Sequence, residues 1–227
     1  MNTVFFKNLK VVDFKEAWDL QESLLSSIIK NKRAGVETKN YLIFCQHPHV
    51  YTLGKSGKMK HLLLNEDELK LKNVDFYKIN RGGDITYHGP GQLVVYPVFD
   101  LDNFFTDIHR YLRCLEDVVF RVLGNYNLSG LRIDGSTGVW LGDGRSGFKK
   151  ICAMGVRASR WVTMHGLAFN VNVDLSYFNS IVPCGISDRG VTSLVEETGS
   201  PVVFSDVENM FKLAFGEVFN CKFEKLL

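Results

Sequence analysis

The feature that most constrains the fold of this chain is one long amphipathic segment, residues 102–124, inside an otherwise strand-rich middle. Its apolar residues recur at helical spacing, and Gly124 is placed to end a helix. The run 92–98 just before it has the length and apolar character of a buried strand. Further short extended runs follow around Ile133 and at residues 138–142, 150–156 and 167–173. Because helices and strands do not alternate strictly, we predict an α/β or α+β domain with a mixed sheet, and not a doubly wound parallel sheet.

Shorter elements complete this prediction towards both ends of the chain. An amphipathic helix is expected over residues 14–32, with Asp13 as its N-cap. A last helix is expected over residues 205–215, with Ser205 as its cap and Gly216 placed to end it. Short strands are expected at residues 41–45, 50–53, 75–80 and 85–88.

The charge balance argues against partners that need a strongly charged surface. The length of 227 residues suits a single domain over 1–227, and its 27 basic and 25 acidic side chains give a formal net charge of +2. We therefore expect no nucleic-acid partner, and no apolar run is long enough to cross a membrane. Two local basic clusters stand out: Lys30, Lys32 and Arg33, and then Lys55, Lys58, Lys60 and His61. Each is either a solvated loop or a landing site for an acidic partner.

The cysteines indicate a reducing compartment. There are five, an odd number, at scattered positions and without a Cys-x-x-Cys motif, so neither a disulfide framework nor a zinc site is predicted. The N-terminal residues lack the basic and apolar regions of a signal peptide. We therefore expect a cytoplasmic protein with reduced thiols.

Two patterns resemble ligand motifs but have simpler structural explanations. Residues 142–147 match G-x-G-x-x-G, yet the residues after them are strand-like, whereas a dinucleotide site needs a helix there. We interpret this segment as a hairpin loop. Cys45, His47 and His49 alternate and would share one strand face, as metal ligands do. Pro48 interrupts that strand and no fourth ligand is near in sequence, so we favour a polar loop and predict no metal site.

Three segments carry residues suited to catalysis or ligand binding. The run from Arg81 to Gln92 combines four glycines and a proline ahead of a buried strand, which is more special backbone than a hairpin needs. We predict a ligand-binding loop there. Cys184 stands in a Pro-Cys-Gly tripeptide, which we expect to form a turn that presents the thiol to a cleft, so Cys184 is either a structural thiol or a nucleophile. Lys150 lies upstream, and a nearby ammonium favours the thiolate that attacks acyl groups.

The residues alone leave rival assignments open. Cys152 alternates with Lys150 on one strand, so the two are expected to share a strand face and Cys152 is a rival nucleophile. Its apolar surroundings favour a packing role instead. His88 and His165 are rival bases for a Cys–His hydrolase.

Together, these segments resemble those of the lipoyl(octanoyl) transferases, the octanoyl-acyl-carrier-protein:protein octanoyltransferases. The matching stretches are RGGDITYHGPGQLVVYP at 81–97, KKICAMGVRASRWVTMHGLAFNVNVDL at 149–175 and FNSIVPCGI at 178–186. The resemblance covers most of the chain from Tyr41 to about Thr198, its motifs are specific, and no catalytic position departs from the family pattern.

This resemblance implies a fold shared with the biotin and lipoate protein ligases, a mixed β-sheet flanked by helices. It implies an enzyme that transfers octanoyl from acyl carrier protein to a lysine of lipoyl domains, the first step of protein lipoylation, without cofactor or metal. The implied acceptors are the lipoyl domains of 2-oxoacid dehydrogenase E2 subunits and the glycine cleavage H protein. Cys184 is the implied nucleophile and Lys150 its acid/base partner. The residues implied to bind substrate are Arg81, Gly82, Gly83, Asp84, Ile85, Thr86, Tyr87, His88, Ala153, Met154, Gly155, His165, Gly166, Leu167 and Ala168.

Three alternatives stay open. An ATP-dependent lipoate or biotin protein ligase of the same fold would need an adenylate site but no nucleophilic cysteine. An octanoyl amidotransferase would pass the acyl group between two carrier proteins. A noncatalytic module that binds acyl carrier protein would leave the pairing of Lys150 with Cys184 unexplained.

Overall fold

The computed structural model describes residues 1–143, 147–182 and 190–225. Within them the strands are β1 (Asn2–Val11), β2 (Asn40–Gln46), β3 (Val50–Leu53), β4 (Asp75–Lys78), β5 (Ile85–His88), β6 (Gln92–Val98), β7 (Leu131–Ile133), β8 (Ser136–Asp143), β9 (Gly147–Ser159), β10 (Val162–Asn170), β11 (Gly190–Val191) and β12 (Cys221–Lys225). The α-helices are α1 (Phe14–Arg33), α2 (Glu66–Leu71), α3 (Ile108–Gly124), α4 (Leu194–Thr198) and α5 (Phe204–Val218).

These strands build two sheets of different size. The larger sheet has the strand order β12-β1-β2-β6-β10-β9-β8-β7, with β11 paired to β9. In it, β1 runs parallel to β12 and β2, and β11 runs parallel to β9, whereas the other neighbours are antiparallel. In the smaller sheet, β3 lies between the parallel β4 and the antiparallel β5. Both sheets are mixed, so the predicted mixed architecture with flanking helices is confirmed.

The central strands of the larger sheet are buried on both faces. In β6, Leu93 and Val95 belong to the core shared with α3 and α5, while Val94 and Tyr96 pack on the side of α1. Strand β10 repeats this alternation. Successive side chains of a strand point to opposite faces, so an apolar strand needs a cover on each side. The resulting arrangement is helix, sheet and helices in three layers.

Helix α1 and the middle strands follow the sequence prediction. The Asp13 carboxylate accepts hydrogen bonds from the N–H groups of Lys15 and Glu16 and so caps α1. The predicted strands between residues 41 and 98 correspond to β2, β3, β4, β5 and β6. Strands β8 and β9 are antiparallel neighbours that pair up to Asp143 and Gly147, and residues 144–146 of the predicted hairpin loop lie outside the described residues.

The predicted start of the long helix is wrong. Helix α3 begins at Ile108 and not at residue 102, because the side chain of Asp107 accepts a hydrogen bond from the Arg110 N–H and caps the helix there. Residues 101–103 form a short 3₁₀ turn instead.

Both predicted ends of the last helix are also wrong. Helix α5 has Val203 in the cap position, so Ser205 lies inside it, and it continues through Gly216 to Val218. A Cβ at Gly216 would lie 3.3 Å from the Cys221 carbonyl oxygen, so glycine allows close approach to β12 here. Glycine serves packing at this position and does not end the helix.

The sequence pattern did not indicate β1 or β12, the parallel pair at one edge of the larger sheet. Most residues of β1 are half-buried, so it lacks the alternation by which a strand is recognised. None of the helices in the described part of the chain has both the length and the apolar character needed to cross a membrane.

Candidate active site

A cavity of about 440 Å³ lies between the two sheets. This volume is in the ordinary range for small-molecule sites. The predicted substrate-binding residues that line it are Arg81, Gly82, Gly83, Asp84, Ile85, Thr86, His88, Ala153, Met154, Gly155, His165, Gly166, Leu167 and Ala168. Strands β9 and β10 form its floor, and the loop that precedes β5 forms the opposite wall.

The wall loop, residues 81–84, is fixed to both sheets. Arg81 is buried, and its guanidinium donates to the carbonyl and hydroxyl oxygens of Thr52, at 2.7 and 3.0 Å. The Gly82 N–H donates to the Val156 carbonyl at 2.9 Å, which ties the loop to β9. A Cβ at Gly155 would lie 2.6 Å from the Gly82 carbonyl oxygen, so only glycine lets the loop lie so close to the floor.

Asp84 joins the wall loop to the basic segment before it. Its carboxylate lies 2.6 Å from Nδ1 of His61. The His61 carbonyl accepts a hydrogen bond from the Val182 N–H at 2.8 Å. The basic segment 55–61 therefore contacts both the cavity wall and the chain that leads to Cys184.

Tyr87 is the predicted substrate-binding residue that does not line the cavity. It is fully buried in the core of the smaller sheet and stacks on Tyr177, with ring centroids 4.9 Å apart. Its hydroxyl lies 2.7 Å from Nδ1 of His49. Neighbours on a strand point to opposite faces, and the cavity is lined by Thr86 and His88 on either side of Tyr87.

Lys150 reaches the cavity from β9. Its Nζ lies 3.3 Å from the Thr137 carbonyl oxygen and 4.5 Å from the centroid of the Trp140 ring. A carbonyl oxygen and an aromatic face both attract an ammonium group. A Cβ at Gly138 would lie 2.5 Å from the Cys152 carbonyl oxygen, so glycine lets β8 lie close to β9 beside Lys150.

The prediction that Lys150 and Cys152 share a strand face is wrong. In the pairing of β9 with β8, Cys152 lies opposite Val139 and Lys150 opposite Trp140, so Ile151 is an extra, bulged residue. Val139 and Trp140 are consecutive and face opposite ways, and their partners do the same. Cys152 is fully buried in the core, and burial raises the pKa of its thiol well above the ordinary range.

Cys184, the predicted nucleophile, lies outside the described residues. The chain described before it ends at Val182, and the chain described after it begins with Gly190 and Val191 in β11. Strand β11 pairs with β9 so that Val191 lies opposite Lys150. Phe178 and Val191 both line the cavity. The described residues on each side of Cys184 thus border the same cavity as Lys150.

The two histidines of the cavity are buried and weakly basic. Burial, together with the neighbouring His47, Arg81 and His165, lowers the pKa of His88 to about 3. Burial and the charges of Arg81 and Arg157 lower the pKa of His165 to about 3. A base of such low pKa takes up few protons near neutrality, so neither histidine is well suited to accept a proton from a thiol.

A chain of buried hydrogen bonds runs from His88 to the strand of Lys150. Nδ1 of His88 donates to the side-chain oxygen of Gln92 at 2.8 Å, and Nε2 of Gln92 donates to Oδ1 of Asn170 at 2.9 Å. Nδ2 of Asn170 donates to the Thr192 carbonyl at 2.8 Å. The Thr192 N–H donates to the Lys150 carbonyl at 3.0 Å. The chain fixes β11 beside β9.

The side chains of Cys45, His47 and His49 serve packing and hydrogen bonding. Nδ1 of His47 donates to a backbone carbonyl, and its Nε2 accepts from the Tyr96 hydroxyl at 2.8 Å. Burial lowers the pKa of His47 to about 4. No group of three or more potential metal ligands occurs within residues 1–143, 147–182 and 190–225.

Sequence reasoning missed several residues that line the cavity. They include Phe14, Tyr96, Thr137, Asn170, Phe178 and Val191. Asn170 carried a usable signal, since it is a polar side chain at the end of an apolar strand. Phe14 carried none, because nothing in the sequence brings the first turn of α1 to the cavity.

Known proteins are similar to this chain in sequence and in fold. The family model for the lipoyl protein ligase A/B catalytic domain matches residues 13–216. An octanoyltransferase of Christiangramia forsetii is 56% identical over 223 residues, which cover 95% of each chain.

Solved structures match at lower identity and bear on the fold alone. A bipartite lipoate protein ligase of Thermoplasma acidophilum, from a study that also describes its E2 lipoyl domain, superposes with a TM-score of 0.74 at 17% identity, covering 100% of this chain and 87% of the other. A biotin protein ligase of Aquifex aeolicus, in complex with biotin and ATP, gives a TM-score of 0.53 at 14% identity, covering 97% and 71%. The predicted biotin and lipoate ligase fold is therefore confirmed.

Proposed function

This chain belongs to the lipoyl protein ligase A/B catalytic domain family and is an octanoyltransferase, and from that premise we propose that it acts through an acyl-enzyme on Cys184 assisted by Lys150. The donor is octanoyl-acyl carrier protein, and the acceptor is a lysine of a lipoyl domain. We infer that residues 1–227 form one catalytic domain, because both sheets contribute residues to the cavity.

In the first half-reaction, the Cys184 thiolate attacks the thioester carbonyl of the donor. A bond forms between the Cys184 sulfur and the acyl carbon, and the bond to the phosphopantetheine sulfur breaks. That sulfur leaves with a proton from the Lys150 ammonium. One thioester replaces another of similar energy, so the step needs no nucleotide.

In the second half-reaction, the acceptor lysine amine, having lost one proton to solvent, attacks the acyl-enzyme. An amide bond forms and the bond from Cys184 to the acyl carbon breaks. Lys150, now neutral, takes the second amine proton and returns to the ammonium form. Cys184 regains its thiolate, so one turnover restores both groups.

The observation that carries this proposal is the pairing of β11 with β9, which sets Val191 opposite Lys150 at the cavity. On the other side of Cys184, Phe178 lines the same cavity and the Val182 N–H donates a hydrogen bond to the His61 carbonyl. The mostly apolar floor suits an eight-carbon chain, and Arg81, Gly82 and Gly83 on the opposite wall suit the polar end of the donor.

The acceptors proposed are the lipoyl domains of 2-oxoacid dehydrogenase E2 subunits and the glycine cleavage H protein. From these proposed partners we infer that the reaction takes place in the cytoplasm. The thiols support this location, since all four cysteines within the described residues are free.

The test is octanoyl transfer from octanoyl-acyl carrier protein to a lipoyl domain in nucleotide-free buffer, followed by intact-protein mass spectrometry. We expect an octanoyl adduct on the enzyme after brief exposure to donor, and its loss when the lipoyl domain is added. A strict requirement for ATP would instead indicate a ligase. Transfer only from an octanoylated carrier protein to a second carrier would indicate an amidotransferase, and donor binding without an adduct would indicate a noncatalytic module.

A further inference from the structure

Helix α1 contains one polar side chain that is completely buried, Gln21. Its Oε1 accepts a hydrogen bond from the His165 N–H at 2.8 Å, and its Nε2 donates to the Ala17 carbonyl at 3.1 Å. Burying a glutamine costs desolvation and side-chain entropy, which an apolar residue at this position would avoid. The contact with His165 is therefore the feature that needs an explanation.

His165 has a left-handed backbone, with φ of +59°, inside the extended strand β10. A residue with a Cβ seldom adopts this conformation, and it persists only where the surroundings hold it. Here it turns the His165 N–H towards α1, where Gln21 accepts it. Without that acceptor, the N–H would be a buried donor facing an apolar helix surface.

The same position is where the wall loop attaches to the floor. His165 is paired with Val156 of β9, and the Val156 carbonyl accepts the N–H of Gly82 at 2.9 Å. The His165 N–H is thus bonded to Gln21 of α1, and the Val156 carbonyl is bonded to Gly82 of the wall loop, so both groups have partners outside the sheet. His165 and Gly82 line the cavity, whereas Gln21 is not among its lining residues.

We propose that Gln21 is a positioning residue of the octanoyl site. By holding the His165 N–H, it keeps the backbone of β10 in the left-handed conformation and leaves the Val156 carbonyl to anchor Gly82 of the wall loop. This inference rests on the proposed function for the identity of the acyl group. The arrangement itself stands on the contacts of Gln21, His165, Val156 and Gly82.

The test compares Gln21→Met with Gln46→Met. Methionine keeps the length of the side chain but removes the acceptor. In the control, Gln46 also accepts a backbone N–H at 2.8 Å, from Gly91, which does not line the cavity. We expect Gln21→Met to form the acyl-enzyme about 10- to 100-fold more slowly than wild type, since small displacements of binding groups cost rates of this order. Gln46→Met should stay within about threefold of wild type.

Gln21→Glu separates positioning from stability. Its carboxylate keeps an acceptor for the His165 N–H but brings a charge into a buried place, so it should be less stable than Gln21→Met. A purely structural role predicts that the less stable variant is also the less active one. Positioning predicts the reverse, namely that Gln21→Glu acylates faster than Gln21→Met per folded molecule.

Hydrogen exchange tests the same inference without any acyl transfer. In Gln21→Met the amides of His165 and Gly82 should exchange at least tenfold faster than in wild type and in Gln46→Met. If wild type forms no octanoyl adduct, the proposed function fails while this exchange result still decides the role of Gln21. Two results would overturn the inference. One is that the Gly82 amide exchanges in Gln21→Met at the same rate as in wild type. The other is that Gln21→Glu is acylated no faster than Gln21→Met.

Discussion

The floor of the cavity and the wall loop that faces it are built on different principles. The floor strand β10 is buried along its whole length, from Val162 to Asn170, between helices on both sides of the sheet. In the wall loop, Gly82 and Gly83 are exposed, and a few hydrogen bonds to Thr52 and β9 hold it. Rigid strands hold reacting groups accurately, whereas loops adapt to a ligand. Changes to reacting groups should therefore affect the chemical steps, and changes to the wall should affect binding.

The two candidate nucleophiles, Cys184 and Cys152, test this comparison most severely. Cys184→Ser should lose the acyl-enzyme and slow transfer by about 10³-fold or more, because a serine hydroxyl is a far weaker nucleophile at neutral pH. Cys152→Ser should keep the adduct and lose about 1–3 kcal/mol of stability, because it buries a hydroxyl in the floor. Intact-protein mass spectrometry after brief exposure to the donor shows whether each variant carries the octanoyl adduct. An adduct that persists in Cys184→Ser and disappears in Cys152→Ser would reverse the assignment.

Lys150→Ala should slow both half-reactions by about 10²- to 10⁴-fold, the usual range for loss of an acid/base group. The rate should recover in part as pH rises, because the thiolate then forms without help. Lys149→Ala is the matched control, since Lys149 is the exposed neighbour on the same strand. Single-turnover acylation and deacylation over a range of pH give the answer, and equal rates for the two variants would remove Lys150 from the mechanism.

Gly155→Ala should weaken binding more than it slows chemistry. Its new Cβ would lie 2.6 Å from the Gly82 carbonyl oxygen, so it should push the wall loop off the floor. We expect an increase of about tenfold in KM for the donor, with a smaller change in kcat. Gly124→Ala is the control, because a Cβ there meets nothing within 4 Å. If kcat falls and KM does not, the floor and not the wall is disturbed.

The sequence was sufficient for the parts of the fold that local chemistry determines. Asp13 caps α1 because its side chain reaches the N–H groups next to it. The wall loop was recognisable from its glycines, and the motif segments meet at one cavity because β5, β9 and β10 end or pass there.

The rest depends on contacts between segments far apart in the chain. The bulge at Ile151 separates Lys150 from Cys152, yet it shows only in the pairing of β9 with β8. Gln21 interrupts the apolar face of α1, and its partner His165 lies 144 residues further on. Strand β1 is half-buried and carries no alternation to recognise. Periodicity within one element cannot report such contacts.

Acid should unfold the protein through three buried histidines, His47, His88 and His165. Burial lowers the pKa of His47 to about 4 and those of His88 and His165 to about 3, whereas unfolded histidine titrates near 6.5. Because the pKa values are lower in the folded protein, the neutral histidines contribute their full stability above about pH 6.5. That contribution to the free energy of unfolding is lost as pH falls towards about 4.

Three such histidines should make the free energy of unfolding change by about 4 kcal/mol per pH unit between about pH 6.5 and pH 4. Urea unfolding between neutral and mildly acidic pH measures it. Replacing the exposed His109 with Gln should leave the slope unchanged, and His47→Gln should reduce it by about a third. A free energy of unfolding that stays constant across the window would show that these rings are already charged in the folded protein.

The basic clusters should give the smallest effects, and the structure distinguishes them. Lys55, Lys58 and Lys60 are exposed and make no ion pair with any residue that the structure describes. The Lys55 N–H donates a hydrogen bond to the Arg81 carbonyl at 3.0 Å, so this cluster lies against the wall loop. In the other cluster, Lys32 is already paired with acidic partners at 2.6 and 2.7 Å.

We therefore expect the first cluster to dock the acidic acyl carrier protein. Exposed charges act mainly on encounter and are screened by salt, so reversing Lys55, Lys58 and Lys60 to Glu should raise the apparent KM for the carrier about 3- to 10-fold at low salt. The same change should flatten the salt dependence of KM. Reversing Lys30 and Arg33, which sit at the far end of α1 from the cavity, should change KM by less than about twofold. Equal effects of the two reversals would mean that only net charge matters, and an unchanged KM in both would leave each cluster as solvated surface.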